Sequence, residues 1–352
     1  MIKACELLHK RNIPCFAHTI NLVVQDCLKL HCLAFLLSKC KSTVKFFKNS
    51  TIMYNKLKEA QKIEKKYSLK QEVPTRWNSA YYMIDRILNV YDAINSVLLM
   101  VSKAPPPFTA DEINLLKDLA KLLSPFESAT KQISSSTTVT ISLKIPITCG
   151  LMHNLDKIKN NLTTTEGLEA YTCLIDGIKN RMSKYEERSL PRIATLLDPR
   201  FKKQGYRSPF NAVQGEKLLE NELASLDSLD SDQPEPLTLT EKTTKTSQTL
   251  FEFVQNNIQA VPRTKRSNAI LELRQYLLKM NSEEDVDPLK YWKYNEGALK
   301  VLAEKFLCVP ATSTESERMF SKAGLVISNR RASLKANHVD MLLFLQKNDW
   351  IN

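Results

Sequence analysis

The helical character of this chain is clearest in CFAHTINLVVQDCLKLH, residues 15–31. Apolar side chains recur there every three or four residues, at Ile20, Val23, Val24, Cys27 and Leu28. This spacing is typical of an α-helix with one buried face. The preceding residues 11–17 are apolar around Pro14 and are compatible with a terminal strand. The stretch therefore predicts a strand that leads into a helix.

Further helices are predicted by the same spacing at residues 74–99, 153–159, 168–182 and 335–348. Another helix should begin at Thr109, because Thr109 and Glu112 have the spacing of a capping box. The last predicted helix contains MLLFL and is apolar on nearly every face. We expect such a helix to lie inside the fold or against another subunit. Leu226–Gln248 is rich in Ser, Thr, Asp and Pro, which predicts a disordered loop.

Composition narrows the classes of function. Only 7 of the 352 residues are glycine, roughly a third of the ordinary share, and no glycine-rich phosphate loop occurs. The net charge of +12 makes polyanions plausible partners, nucleic acid first. The segment from Lys39 to Lys70 contains ten lysines and only two acidic residues, Glu59 and Glu64, so its local net charge is +8. A charge run of this kind fits either a nucleic-acid contact or a solvated helix face.

The chain carries no sign of secretion or of membrane insertion. Its first ten residues are too polar for a signal peptide, and no apolar run reaches membrane-spanning length. The eight cysteines are therefore expected to be free thiols in a reducing compartment. We expect a cytosolic or nuclear protein without a membrane partner.

Two constellations could carry metal chemistry. Cys15, His18, Cys27 and His31 have a zinc-like order, but two of the four fall on the apolar stripe of the helix, so no metal site is predicted. In ATSTESERMFSKAG, residues 311–324, Glu315 and Glu317 each follow a threonine at capping-box spacing. Side chains two residues apart on a helix point about 200° away from each other, so at most one glutamate can face a core site.

Five segments, read together, resemble the hAT superfamily of DNA transposases, and most closely the domesticated zinc finger BED domain-containing proteins. They are CFAHTINLVVQD (15–26), VPTRWNSAYYMIDRIL (73–88), ATLLDPRFK (194–202), DPLKYWK (287–293) and VPATSTESERMFSKAGLVISNRRASLKANHVDMLLFLQKN (309–348). The last of these is long and specific, and the series covers nearly the whole chain.

The resemblance implies a mainly α protein built on the remnant of a split RNase H-like core. Residues 1–35 would be that remnant, with strand 12–17 and one helix. Residues 36–290 would be a large all-α insertion domain that contains the loop at 226–248. Residues 291–352 would be the C-terminal hAT dimerisation region, which completes the core.

The resemblance also implies roles for single residues. Glu317 matches the third acidic residue of the family's metal-binding set, which leaves Glu315 as the helix cap. Trp77 matches a tryptophan associated with handling the transposon end, although its position on a helical stripe favours a core anchor, and the two roles are compatible. Both family aspartates would precede Cys15, and no aspartate stands there. One carboxylate cannot assemble a two-metal site.

We therefore expect an N-terminally truncated, catalytically inactive chain in which Glu317 is vestigial. It would need no cofactor, Mg²⁺ being expected only in an intact family member. The alternative is a fragment of an active transposase whose two aspartates lie upstream. Expected partners are a second copy or a related family member, and DNA in the nucleus, but no small-molecule substrate. A protein–protein scaffold without a DNA role is a third possibility.

Candidate contact residues follow from these expectations. A self-association surface is predicted at Trp292, Leu302, Phe306, Leu342, Phe344 and Leu345; packing within a monomer is the alternative. Non-specific DNA contacts are predicted at Arg76, Trp77, Arg318, Lys322, Arg330 and Arg331. For the basic residues of this set, simple solvation is the alternative.

Overall fold

The computed structural model describes residues 12–62, 66–227, 265–327 and 334–348, together with Lys3 and Leu7. Helices joined by short turns account for most of these residues, so the prediction of a mainly helical protein is confirmed. The chain divides into two compact units. The first unit combines Met1–Tyr185 with Pro310–Asn352, and the second unit is Glu186–Val309.

The α-helices of the first unit come from both ends of the chain. They are α1 (Phe16–Leu28), α2 (His31–Lys48), α3 (Thr51–Ala60), α4 (Trp77–Leu88), α5 (Tyr91–Leu99), α6 (Ala110–Ile133), α7 (Lys144–Lys159), α8 (Thr165–Arg181), α14 (Thr314–Val326) and α15 (Ala336–Lys347). The α-helices of the second unit are α9 (Ser189–Leu197), α10 (Pro209–Asp227), α11 (Lys265–Leu278), α12 (Pro288–Lys293) and α13 (Ala298–Leu307).

Helix α1 lies at the centre of the first unit, as its apolar stripe predicts. Phe16, Ile20, Val23 and Val24 are fully buried. Helix α1 packs closely on α8, where a Cβ atom at Gly177 would lie 3.0 Å from the Val23 side chain. The Phe16 and Tyr185 rings pack edge to face, with their centroids 5.1 Å apart. Glycine at position 177 therefore permits the close approach that buries this face of α1.

The strand predicted at residues 12–17 is absent, and that prediction was wrong. Residues 12–15 have no regular secondary structure, and Phe16 already begins α1. A strand requires a neighbour for its backbone hydrogen bonds, and the described segments offer only an isolated bridge between Val73 and Arg76. The Phe16 N–H instead donates to the Ala311 carbonyl at 3.1 Å. The RNase H-like remnant thus stays a prediction.

Most predicted helices are present, with one difference. Residues 74–99 form two helices, because Val90 leaves the helical conformation (φ −137°, ψ 20°) between α4 and α5. The capping box is confirmed: the Thr109 hydroxyl accepts from the Glu112 N–H at 3.2 Å, and Glu112 accepts from the Thr109 N–H at 2.8 Å. The helices expected at 153–159, 168–182 and 335–348 correspond to parts of α7, α8 and α15.

Buried polar contacts hold the second unit together. The Trp292 indole donates to the Leu197 carbonyl at 2.7 Å, and the Tyr276 hydroxyl donates to the Leu196 carbonyl at 3.1 Å. The buried Lys202 ammonium donates to the carbonyls of Lys279 and Met280 at 2.7 and 3.1 Å. These hydrogen bonds satisfy the buried donors, although burial still lowers the pKa of the Lys202 ammonium by desolvation. Except for its first two residues, the loop predicted at 226–248 lies outside the described residues.

The ATLLDPRFK segment has a structural role within this unit. Asp198 is fully buried and accepts a bidentate pair of hydrogen bonds from Arg200. Nη2 of Arg200 donates to Oδ2 of Asp198 at 2.7 Å, and Nε donates to Oδ1 at 2.9 Å. Such a fork is the strongest form of an arginine–carboxylate pair. The turn after α9 is thereby held in one conformation, and the sequence signal here marks a structural turn.

Among the described residues, no single helix is both long and apolar enough to cross a bilayer. Only α1 and α2 together meet the criteria of length and composition, and a bend of 95° separates them. Most of the large apolar residues of both helices are buried in the core, whereas Phe35 of α2 is 72% exposed.

Candidate self-association surface

Helix α14 begins at Thr314, and neither predicted capping box forms there. Ser313 is the N-cap residue, so the third helical residue is Ser316 and not a glutamate. Glu317 is exposed, and one of its carboxylate oxygens accepts from the Ser313 hydroxyl at 2.8 Å. The inward position expected for Glu317 is therefore wrong. The physical reason is that α14 has no buried residue, so no inward face exists for either glutamate to occupy.

Glu315 joins α14 to α15 in a cluster of charges and is not a cap. Its carboxylate forms an ion pair with Lys347 near the end of α15 and another with Arg318 at 3.2 Å. The hydrogen bond from Lys347, followed by the contact with Arg318, lowers the pKa of Glu315. All three side chains are partly exposed, so the cluster orients the two helices more than it stabilises them.

The pair α14–α15 exposes a broad apolar surface. Val339 is the one buried residue of α15, and α14 buries none. Phe320 is 76% exposed and Phe344 is 60% exposed. The large apolar side chains that face solvent on this pair, called here the C-terminal apolar surface, are Phe320, Leu325, Ile327, Met341, Leu342, Phe344 and Leu345. Large apolar side chains left exposed on helices that bury almost nothing in their own chain make this helix pair a candidate interaction surface.

Hydrogen bonds near the start of α14 attach this helix pair to the rest of the first unit. The Ala311 N–H donates to the Thr140 hydroxyl at 3.0 Å, while the Ala311 carbonyl accepts from Phe16. The Ser313 N–H points at the Cys15 sulfur, 3.4 Å away. Arg318 donates to the Ser134 carbonyl at 3.0 Å. The C-terminal apolar surface is thus fixed to the start of α1 at one end.

Three of the six predicted self-association residues lie on this surface: Leu342, Phe344 and Leu345. For Trp292 and Leu302 the surface prediction was wrong, since both are buried in the second unit. The indole N–H of Trp292 donates to the Leu197 carbonyl, and the centroid of its ring lies 5.0 Å from that of the Tyr276 ring. Phe306 is half-buried. Sequence periodicity missed Phe320, Leu325 and Ile327, because their spacings of five and two residues do not form the three-or-four-residue stripe of a helix face.

The predicted DNA-contact residues differ in their exposure and in their contacts. Trp77 is 1% exposed and lies 6.4 Å from the Phe126 ring, so it is a core anchor and its ring cannot stack on a base in this structure. Arg76 and Lys322 are exposed. Arg318 is engaged with Glu315 and Ser134. Arg330 and Arg331 lie outside the described residues.

The zinc-like residues near the N-terminus are dispersed. His18 is exposed, whereas Cys27 is buried and its thiol donates to the Ala170 carbonyl at 3.7 Å. A hydrogen bond with the neighbouring Cys173 thiol, followed by burial, raises the pKa of Cys27. Within the part of the chain that the structure describes, no three His, Cys, Asp or Glu side chains come together as a metal site.

Two family matches coincide with these features. Residues 13–122 match the ZBED1 RNase-like helical domain, which contains α1 to α5 and the start of α6. Residues 272–349 match the hAT family C-terminal dimerisation region, which ends with α14 and α15. The chain therefore resembles hAT-derived proteins over both segments, and the second segment is similar to the family's C-terminal dimerisation region.

Individual relatives agree with this class. Over 96% of its length the chain is 26% identical to human zinc finger BED domain-containing protein 4 and 25% identical to human zinc finger BED domain-containing protein 6. Over 97% of its length it is 23% identical to the putative AC transposase of Zea mays. It spans 29%, 38% and 44% of these three proteins, respectively. The predicted resemblance to the hAT superfamily and to the zinc finger BED proteins is confirmed.

Proposed function

We propose that this chain is a transposase-derived interaction protein that associates with a second copy, or with a related family member, through the C-terminal apolar surface. One observation carries the proposal: α14, its C-cap residue Ile327 and α15 expose seven large apolar side chains to solvent, inside the region that matches the hAT dimerisation region. Removing such side chains from water contributes about 25 cal/mol per Å² of apolar area, so their burial in a partner is favourable.

Self-association is tested by light scattering coupled to size-exclusion chromatography. The expected mass is twice the 40.2 kDa of one chain at roughly tens of micromolar protein. A monomer mass over that whole range would contradict the proposal for the homodimer. Mixing with a differently tagged relative and recovering both by one tag would then distinguish a family heterodimer.

We further propose that Glu317 has no catalytic function in this chain. A two-metal mechanism requires carboxylates that converge on the ions, whereas Glu317 is exposed and bound to its own N-cap residue. The competing proposal is a fragment of an active DNA transposase whose aspartates lie upstream. Incubating the chain, extended by any coding sequence found upstream of residue 1, with labelled duplex DNA and Mg²⁺ separates the two proposals, since cleavage that disappears in Glu317→Gln would establish activity.

Non-specific DNA binding in the nucleus is proposed on the basis of charge. The net charge is +12, and Arg76 and Lys322 are exposed for phosphate contact. Fluorescence microscopy of the tagged chain tests the compartment, and exclusion from the nucleus would contradict it. Affinity for duplex DNA that does not fall as salt is added would contradict phosphate neutralisation and would favour a protein scaffold without a DNA role.

A further inference from the structure

A groove on the first unit lies far in sequence from the C-terminal apolar surface. It is formed where α2 ends and α3 begins, beside the residues that follow α5, and its volume is about 570 Å³. Its lining residues, called here the α2–α3 groove, are Ser42, Lys45, Phe46, Asn49, Ser50, Met53 and Val101. Pockets of this size accommodate a few side chains of a ligand rather than a folded domain.

The local sequence explains the shape of the groove. Asn49 ends α2, its N–H donating to the Lys45 carbonyl at 3.0 Å, and the Ser50 hydroxyl at once caps α3 by accepting from the Met53 N–H at 3.3 Å. The chain therefore turns between two helices without an intervening loop. Phe47 and Leu57 are buried on the core side of the same helices. The groove is thus held by packed helices on its inner side.

Apolar side chains are concentrated in and beside this groove. Phe46, Met53 and Val101 line it and are only partly covered. Next to these lining residues, Leu99 and Met100 are 76% and 77% exposed, and Ile52 is also exposed. Exposed apolar residues that adjoin a concave site indicate a surface for another molecule.

Every charged residue in the groove lining, or within three residues of it along the chain, is a lysine. Four exposed lysines lie in the lining or within three residues of it along the chain: Lys45, Lys48, Lys56 and Lys103. Lys39 and Lys41, nearer the start of α2, form ion pairs with Glu112 and Glu72. Among the described residues, none of the ion pairs involves the four lysines near the groove. Helix α2 itself contains no carboxylate.

We infer that the α2–α3 groove is a docking site for an acidic peptide segment with large apolar side chains, supplied by another protein. The apolar side chains of the peptide would enter between Phe46, Met53 and Val101, while its carboxylates would face the surrounding lysines. A DNA backbone would use the lysines but would gain nothing from the exposed Ile52, Leu99 and Met100. The combination of apolar lining and positive rim therefore favours a peptide over nucleic acid.

The docking site can be tested with an array of random-sequence peptides of about twelve residues, a length that spans a groove of this size when extended. The full chain is applied to the array, and its binding is compared with that of the double variant Lys45→Glu/Lys48→Glu. Bound peptides should be enriched in Asp and Glu together with Phe, Leu or Trp. For the best peptide, fluorescence anisotropy should show an affinity roughly tenfold or more weaker with the double variant, since charge reversal turns attraction into repulsion.

A matched control is Lys217→Glu/Lys290→Glu, which makes the same change in charge at exposed sites of the second unit and should leave binding unchanged. Ile52→Asn tests the apolar contribution at an exposed position without changing the charge, and it should weaken binding. Peptides without acidic enrichment, or equal affinity in both double variants, would overturn the inference. Duplex DNA that competes through Lys45 and Lys48 while acidic peptides fail to bind would assign the groove to nucleic acid instead.

Discussion

The Ser313 hydroxyl donates to the Glu317 carboxylate at 2.8 Å, so this glutamate is bound to the residue that begins its own helix. Negative charge near a helix N-terminus is favourable through the helix dipole, which is sufficient to explain the position. Glu317 thus has a structural role that requires no metal ion. Its neighbour Glu315 reaches across to α15, so the two carboxylates serve different contacts.

Glu317→Gln should leave the protein folded and associated. Glutamine keeps an oxygen that accepts from Ser313, so the free energy of unfolding should change by less than about 0.5 kcal/mol. Calorimetric titration with Mg²⁺ should give the same heats for the wild type and the variant. A saturable Mg²⁺ signal that vanishes with the substitution would show that Glu317 is a metal ligand.

Phe344→Glu combined with Leu345→Glu should convert the associated species to monomer. Both side chains are exposed on α15, so charge can be introduced there without disturbing the core, whereas a partner would have to bury it. Light scattering gives the mass, and circular dichroism checks the helix content. Leu168→Glu, an exposed apolar position on α8, is the control and should keep the associated mass.

Trp77→Ala should destabilise the first unit by about 3–5 kcal/mol, the usual cost of truncating a large buried aromatic side chain. The ring is almost fully buried and lies against Phe126, so the loss comes from packing. Denaturant unfolding measures the effect. Trp77→Phe should retain part of the stability, and a variant that was as stable as the wild type would contradict the assignment of Trp77 to the core.

The pairing of Glu315 with Lys347 predicts a particular dependence on pH. Lys347 and Arg318 lower the pKa of Glu315 in the folded chain. The ion pair therefore stabilises the fold at pH values above 4.5, the ordinary pKa of glutamate. This stabilisation is lost as the pH falls through the lower pKa of the folded state. Thermal unfolding should therefore show Glu315→Gln less stable than the wild type at neutral pH, with the difference closing in acid. Glu304→Gln, at an exposed position on α13, is the control. A difference in stability between Glu315→Gln and the wild type that increased in acid would contradict the prediction.

Arg76→Ala and Lys322→Ala test the proposed phosphate contacts one at a time. Each removes an exposed cation, so each should lower the slope of log affinity against log salt by about 1 unit for duplex DNA. Filter binding at several salt concentrations measures the slope. Unchanged slopes in both variants would mean that the phosphates are bound elsewhere, and Lys217→Ala is the control.

Helical periodicity and capping signals were sufficient to predict the course of α1, the capping box of α6 and the presence of α15. They depend on neighbours three or four residues apart, which the sequence shows directly. The break at Val90 was not predicted, because the apolar stripe continues across it from α4 to α5. The strand at residues 12–17 was predicted from local composition, yet a strand depends on a partner that is distant in sequence.

For the candidate sites, the motifs in the sequence were sufficient to predict the resemblance to hAT-derived proteins and the match to their dimerisation region. Which apolar residues face outward was decided only by the tertiary structure: Trp292 and Leu302 are buried, whereas Phe320 and Phe344 are exposed. The α2–α3 groove likewise depends on Val101 approaching Met53 across nearly fifty residues of chain. A helical stripe indicates that a residue is apolar and which neighbours share its face, but only the packing of distant segments decides whether that face meets the core or the solvent.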